Sequence, residues 1–221
     1  MHSLHVDWLR FLPALVLLLT PVRILQGESV HFRAVSRGWN RHWPQILGLG
    51  HHAVDFARAA LGSWLLIGSL SIPPDVHGLA AQMPFLLQGI IRVLAVFLQT
   101  VICKELDSAN APFAFVIGLL IGGHSPLSAI FAIALAIALA AGTRTPAAFF
   151  PLLAVSFLGA GFLFGQTALA KKTVFGSFAA MLPWLWSLLF NRTLLISYRA
   201  SRSGPSRAPV APPAGAASDS D

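Results

Sequence analysis

Hydrophobic residues run along this chain in blocks of spanning length, and the polar residues fall mainly in the gaps between them. From Ala111 to Phe190 the formal charges are Arg144, Lys171 and Lys172, each at a break between apolar runs. A spanning helix needs about 20 apolar residues, and several such blocks joined by short turns exceed what the core of a small soluble domain can hold. The pattern therefore predicts an all-α, polytopic transmembrane helix bundle of six or seven hydrophobic helices with a disordered C-terminal tail.

Four blocks have the length of a span: 52–72, closed by Pro73 and Pro74, then 83–103, 147–165 and 174–190. Between the second and third lies the apolar stretch 111–141, about 46 Å long as a single helix and so too long for one crossing. The run Gly122, Gly123, His124, Ser125, Pro126 supplies a helix stop, an N-cap serine and a proline suited to a first turn, which splits the stretch into 112–122 and 126–141. The first half is short enough to be re-entrant. The earliest run, Phe11 to Leu25, contains Pro13, Pro21 and Arg23. It lacks a basic start and a small-x-small cleavage site, so it reads as an uncleaved membrane or interfacial helix rather than a signal peptide.

Domain organisation follows from these blocks: an N-terminal helix over 1–29, a basic aromatic interfacial segment over 30–50, the bundle over 51–192 and the tail over 193–221. The interfacial segment carries Arg33, Arg37 and Arg41 at helical spacing among Phe32, Trp39 and Trp43, the mixture that favours the headgroup level. If 112–122 and 126–141 form a hairpin, then Lys104, Arg144, Arg192, Arg199, Arg202 and Arg207 share a side with those arginines, which puts the C-terminus in the cytoplasm. Lys171 and Lys172 run against that rule. The tail is rich in Ser, Pro, Ala and Gly without apolar periodicity, the composition of a chain that buries too little to fold.

Composition narrows the class without naming a reaction. With 56% hydrophobic and 10% charged residues and a mean hydropathy of +0.72, the balance is that of a membrane protein. The formal charge of +7 comes from scattered flanks, with no basic face interleaved with stacking aromatics, so no nucleic-acid partner is expected. The lone Cys103 excludes an intrachain disulfide and a multi-cysteine metal site. No phosphate loop, dinucleotide fingerprint, nucleophile elbow or zinc-protease helix occurs, and neither a cofactor nor a metal is expected.

The candidate chemistry lies on the first two long blocks. His51, Asp55, Arg58, Gly62 and Ser69 fall on one stripe of a helix, and Gln88, Arg92, Ala95 and Gln99 on one stripe of the next. Two polar stripes on consecutive helices should face each other, with Asp55 level with Gln99 and Arg92 near Gly62. A charge exposed at mid-bilayer costs at least about 2.5–3.5 kcal/mol on insertion scales, so Arg92 must face protein or water. One reading is a seam with an excess of positive charge that receives an anionic lipid headgroup or a small anionic solute, its candidate residues being Arg92, Asp55, Arg58, Gln88, Gln99 and His51. The other is structural: Asp55 pairs with Arg92 or with Arg58, and the amides set register. His51 and Asp55 are too few to hold a metal. Pieces around His51 to Asp55 and Gly122 to Ser125 resemble scraps of the lipid phosphatase signatures, but their order is wrong and the basic first motif is missing, so that match is rejected.

Function is thus open among three classes: a bundle that binds or transports a small solute or lipid, a membrane-embedded lipid-modifying enzyme using His51, His52 or Asp55 as acid or base, and an accessory subunit without chemistry. The balance leans away from an enzyme. Small residues at i, i+4 spacing, Gly118 with Gly122, Gly161 with Gly165, and Ala132 with Ala136 and Ala140, predict that the blocks from 112 to 165 pack on one another as a tight scaffold.

Overall fold

A computed structural model of the chain describes residues 4–21, 29–31, 50–102, 108–143, 148–164 and 167–197. The fold is mostly helical, with seven helices among the described residues: α1 (Trp8–Leu19), α2 (Gly50–Ser69), α3 (Met83–Val101), α4 (Phe113–Gly123), α5 (Pro126–Thr143), α6 (Phe149–Phe164) and α7 (Thr167–Leu189). Two stretches, Ala80–Val101 and Pro126–Thr143, are long and apolar enough to cross a bilayer on those grounds alone. The arginines of the expected interfacial segment, Lys104, Arg144, Gly165 and the tail from Tyr198 lie outside the described residues.

Local chemistry explains most boundaries. Asp7 caps α1, its carboxylate accepting the Leu9 N–H at 3.1 Å, and the helix ends just ahead of Pro21, where the residue before a proline leaves the helical region. The stretch 111–141 breaks where glycine and proline were expected to break it: α4 stops at Gly123, His124 is extended, and Pro126 opens α5. Past α7, Asn191 takes the left-handed conformation (φ 48°). There Arg192 N–H donates to Ser187 O at 3.0 Å and Asn191 N–H to Leu188 O at 3.4 Å, the paired closure of a Schellman motif.

Two expectations are corrected at the C-terminal end. Lys171 and Lys172 do not sit at a break, because α7 begins at Thr167 and takes them into its first turns; Ala168, Leu169 and Ala170 are good helix formers and continue the helix toward its N-terminus. The tail assigned to 193–221 starts with an ordered strand, Thr193–Ser197.

That strand belongs to one of two small sheets at opposite ends of the bundle. β1 (His5–Val6) pairs antiparallel with β3 (Leu70–Ser71). At the other end β5 (Thr193–Ser197) lies between β2 (Ser29–His31), antiparallel to it, and β4 (Ser108–Asn110), parallel to it. Successive helices run in alternating directions between these ends. Asp7 N–H meets Ser69 O while Thr20 meets Arg58, so α1 and α2 are antiparallel; α4 runs parallel to α2, and its first residue, Phe113, stacks on Phe149 at the start of α6. Gly161 lies against Thr173 and Gly176 against Phe157, which makes α6 and α7 antiparallel.

The closest approach in the bundle joins α4 to α2. At Gly118 and Gly122 an added Cβ would collide with the backbone carbonyls of Phe56 and Ala60, so the two helices touch main chain to main chain. This corrects the expected use of that glycine pair. It does not bind α4 to α5 and α6; α4 makes its main contact with α2, while α5 packs on α6 and α6 on α7. Along α5 the buried stripe is Ala129, Ala132, Ala136 and Ala140, small enough to let α6 approach.

Gly122→Ala should force α4 away from α2 and cost about 1–3 kcal/mol, the usual range for overpacking. Gly142→Ala, where nothing lies within 4 Å, should leave stability unchanged or slightly raised. Thermal unfolding of the two purified variants beside the parent chain checks both.

Candidate functional site

The polar stripes of α2 and α3 are buried, but they do not form one seam. Asp55, Arg58, Gln88, Arg92 and Gln99 are each less than a tenth exposed. α2 and α3 themselves make little direct contact; α1 and α4 pack on α2, and α7 packs on α3. The stripes consequently divide into three groups at different depths.

At the end where α1 finishes, Arg58 Nε donates to Asp55 Oδ1 at 2.8 Å, Nη1 donates to Leu17 O at 2.9 Å and Thr20 O at 2.6 Å, and its Cζ lies 4.7 Å from the centre of the Phe115 ring. Gln99 Nε2 adds a bond to the same Thr20 carbonyl at 3.2 Å. The last carbonyls of a helix have no partner within it, and here a guanidinium and an amide supply them. Asp55 thus pairs locally with Arg58, not with Arg92, and this group is an anchor for α1. At the opposite end Gln88 Nε2 donates to Ile67 O at 3.3 Å, fixing the register of α3 against α2. The side chain of His51 lies outside the described residues.

Arg92 lies between these groups. Only 4% exposed, it holds two buried nitrogens, Nε and Nη2, that have no hydrogen-bond partner among the described residues. The ion pairs among those residues join Asp7 to Arg10 and Asp55 to Arg58, so none neutralises Arg92. The space for its guanidinium was expected at Gly62; there the glycine admits Leu17 and Leu18 of α1 instead. Gly123, the last residue of α4, is what makes room. A Cβ at Gly123 would stand 2.5 Å from Ser63 Oγ, 3.0 Å from Arg92 Cζ and 3.1 Å from Arg92 Nη2. Ser63 Oγ is buried and likewise without a partner.

The site is therefore assembled by three elements: Ser63 from α2, Arg92 from α3 and the truncated end of α4. Beyond it the His124 ring meets Phe157 edge-on at 4.9 Å and lies beside Gly176 of α7, whose neighbour Ser177 carries another buried hydroxyl without a partner. Ser63 and Ser177 were not among the candidates. Ser63 is offset by one residue from the stripe that contains Gly62, and a serine in an apolar run carries little signal, since it can bond its own helix backbone. No three of His, Cys, Asp and Glu gather to hold a metal among the described residues. The donor set instead suits an anion: one fixed cation, its free N–H groups and a hydroxyl.

Arg58→Met should lose about 3–5 kcal/mol of stability, because it leaves the Asp55 carboxylate buried and unpaired. The double change Arg58→Met with Asp55→Asn should lose less than the single one. Chemical or thermal unfolding of the set measures the coupling, and additive losses would show that the pair does not act as a unit. Comparison with protein-family models, with characterised proteins and with solved structures finds no match to this chain.

Proposed function

We propose that this chain is a multi-pass integral membrane protein whose helices enclose a binding place for a small anionic solute or lipid headgroup at Arg92, and that it holds or moves that anion. Support for the bilayer comes from the distribution of side chains. Leu9, Val16, Trp64, Ile90, Leu127, Ile130, Val155, Leu163 and Leu189 stand more than half exposed, on six of the seven helices, while Asp55, Arg58 and Arg92 are inside. Such a surface in water would be a large aggregation liability; against lipid tails it costs nothing.

Alternating helix directions support seven legs, with α4 as a re-entrant half and α5 as the return. The three-stranded sheet gathers positions 29–31, 108–110 and 193–197 at one end, and Arg33, Lys104, Arg192 and Arg199 lie within four residues of it along the chain. This is the cytoplasmic end by the positive-inside rule, and it carries the C-terminus.

One observation carries the anion reading: Arg92 is buried without a carboxylate partner among the described residues. A structural arginine in this setting would be paired, as Arg58 is. The enzymatic alternative, with His51, His52 or Asp55 as acid or base, has less support, since Asp55 is engaged by Arg58.

Arg92→Leu provides the test. An unpaired buried charge costs several kcal/mol, so the variant should insert, fold and unfold at the same temperature as the parent or higher. It should also lose any rise in unfolding temperature that the parent shows with anions. A variant that is destabilised by several kcal/mol in the absence of ligand would indicate a structural arginine and sink the proposal. Resistance of the parent protein to alkaline extraction from membranes checks the bilayer assignment separately.

A further inference from the structure

Resting on that reading, the geometry points to a narrower ligand class: we infer that Arg92 seats an oxyanion with two adjacent oxygens, a carboxylate or a phosphate, gripped side-on by its Nε and Nη2 and steadied by Ser63 Oγ. The two partnerless nitrogens are not an arbitrary pair. In a planar guanidinium the Nε–H and one N–H of Nη2 point the same way, forming a single edge with two parallel donors. That edge matches the oxygen spacing of a carboxylate or phosphate, which is why arginine rather than lysine is used for such anions. A halide is a single spherical acceptor and must share itself between the two parallel donors, so it matches the fork less well than a pair of oxygens.

Three further observations fit this class. Ser63 Oγ is a second unused donor on the same side of Gly123 as Nη2, and a hydroxyl beside a guanidinium adds one more hydrogen bond to an anion already held at two points. The backbone at Gly123 approaches so closely that any larger residue would push either donor out of position, so the donors are placed by packing and not by flexible reach. Arg92 is nine residues into a helix of nineteen, about 14 Å from either end. That depth is remote from the headgroup level and favours a small solute carrying the oxyanion over a lipid that presents it.

Nε and Nη2 are closed off from solvent, so the ligand enters when the end of α4 moves. The turn through the half-buried His124 and Ser125 follows directly on Gly123, which lies against Cζ and Nη2.

The experiment uses the full chain, purified in neutral detergent and in nanodiscs of phosphatidylcholine with or without phosphatidic acid. Unfolding temperature is followed against chloride, acetate and inorganic phosphate for the parent and for Arg92→Lys, Arg92→Leu and Ser63→Ala. Acetate or phosphate should stabilise the parent saturably and chloride should not. Arg92→Lys, which keeps the charge and loses the fork, should weaken the response at least tenfold, and Ser63→Ala several-fold. Equal responses to chloride and acetate, or an Arg92→Lys variant that responds like the parent, would overturn the side-on grip while leaving an anion site in place. Absence of any anion response in the parent would overturn both readings. A response confined to phosphatidic acid nanodiscs would keep the oxyanion and replace the free solute by a lipid as its source. If Arg92→Lys fails to fold, Ser63→Ala decides, because it removes one donor without touching the charge.

Discussion

The contact on which the site depends is the meeting of two backbones. Gly118 and Gly122 of α4 lie on the carbonyls of Phe56 and Ala60, one helical turn apart on each side, so that the helices run parallel and nearly in register. Because α4 is only eleven residues long, this register carries its last residue to the level of Ser63 and no farther. A longer helix would fill the place where the Arg92 guanidinium lies; a looser contact would leave the guanidinium free to turn. Dispersion and close approach are what hold such a joint in lipid, where burial of apolar surface supplies no drive between helices.

Around that joint the polar groups fall into two kinds. Most are satisfied by carbonyls that a helix end or a close crossing leaves available: Arg58 and Gln99 on the end of α1, Gln88 on Ile67, Asn110 Nδ2 on Gln99 O at 3.0 Å. Thr100 and Ser69 return their hydroxyls to their own helices. These bonds tie α1, α3 and β4 to the bundle and suit a surrounding with no water to take unpaired groups. Among the groups left unused, Arg92 Nε and Nη2 and the hydroxyls of Ser63 and Ser177 occur on the helices that meet near the end of α4. Arg58 Nη2 and Trp186 Nε1 are also buried without a partner among the described residues, but each stands alone; near the end of α4 several such atoms come together.

Much of the architecture was legible from residue order. The helix stop at the Gly122 and Gly123 pair, the restart at Pro126, the burial of Gln88, Arg92, Ala95 and Gln99 on one face, and the apolar character of the later helices all follow from periodicity and from glycine and proline chemistry, which act locally. What could not be read were partners. The Gly118 and Gly122 pair announces a close approach without saying to which helix, and α2 took the place expected for α5 and α6. Gly62 likewise promised space and gave it to Leu17 and Leu18, side chains from a helix more than forty positions earlier. Asp55 had two arginines within plausible reach, and the choice of Arg58 rests on where α1 ends, a long-range fact. Strands as short as β4 and β5 leave no periodic signal, and the start of α7 was misplaced because a lysine pair looks like a gap when only hydropathy is counted.

The contrast between Arg58 and Arg92 is the strongest ground for separating scaffold from site. Both are buried arginines in the same bundle, yet Arg58 spends Nε and Nη1 on a carboxylate and two carbonyls and leaves Nη2 alone without a partner, while Arg92 has no carboxylate and keeps the whole Nε and Nη2 edge unused among the described residues. Burial of a guanidinium without such partners is a standing cost that packing alone would remove, since a leucine would fill the same space without the charge. A strained or unsatisfied group persists where the molecule gains something from it. On the proposed reading the missing acceptor comes from outside the fold, as an anion that satisfies the edge and lowers the energy of the state that holds it. The same reading gives the short α4 a purpose: a longer helix would close the place proposed for that anion.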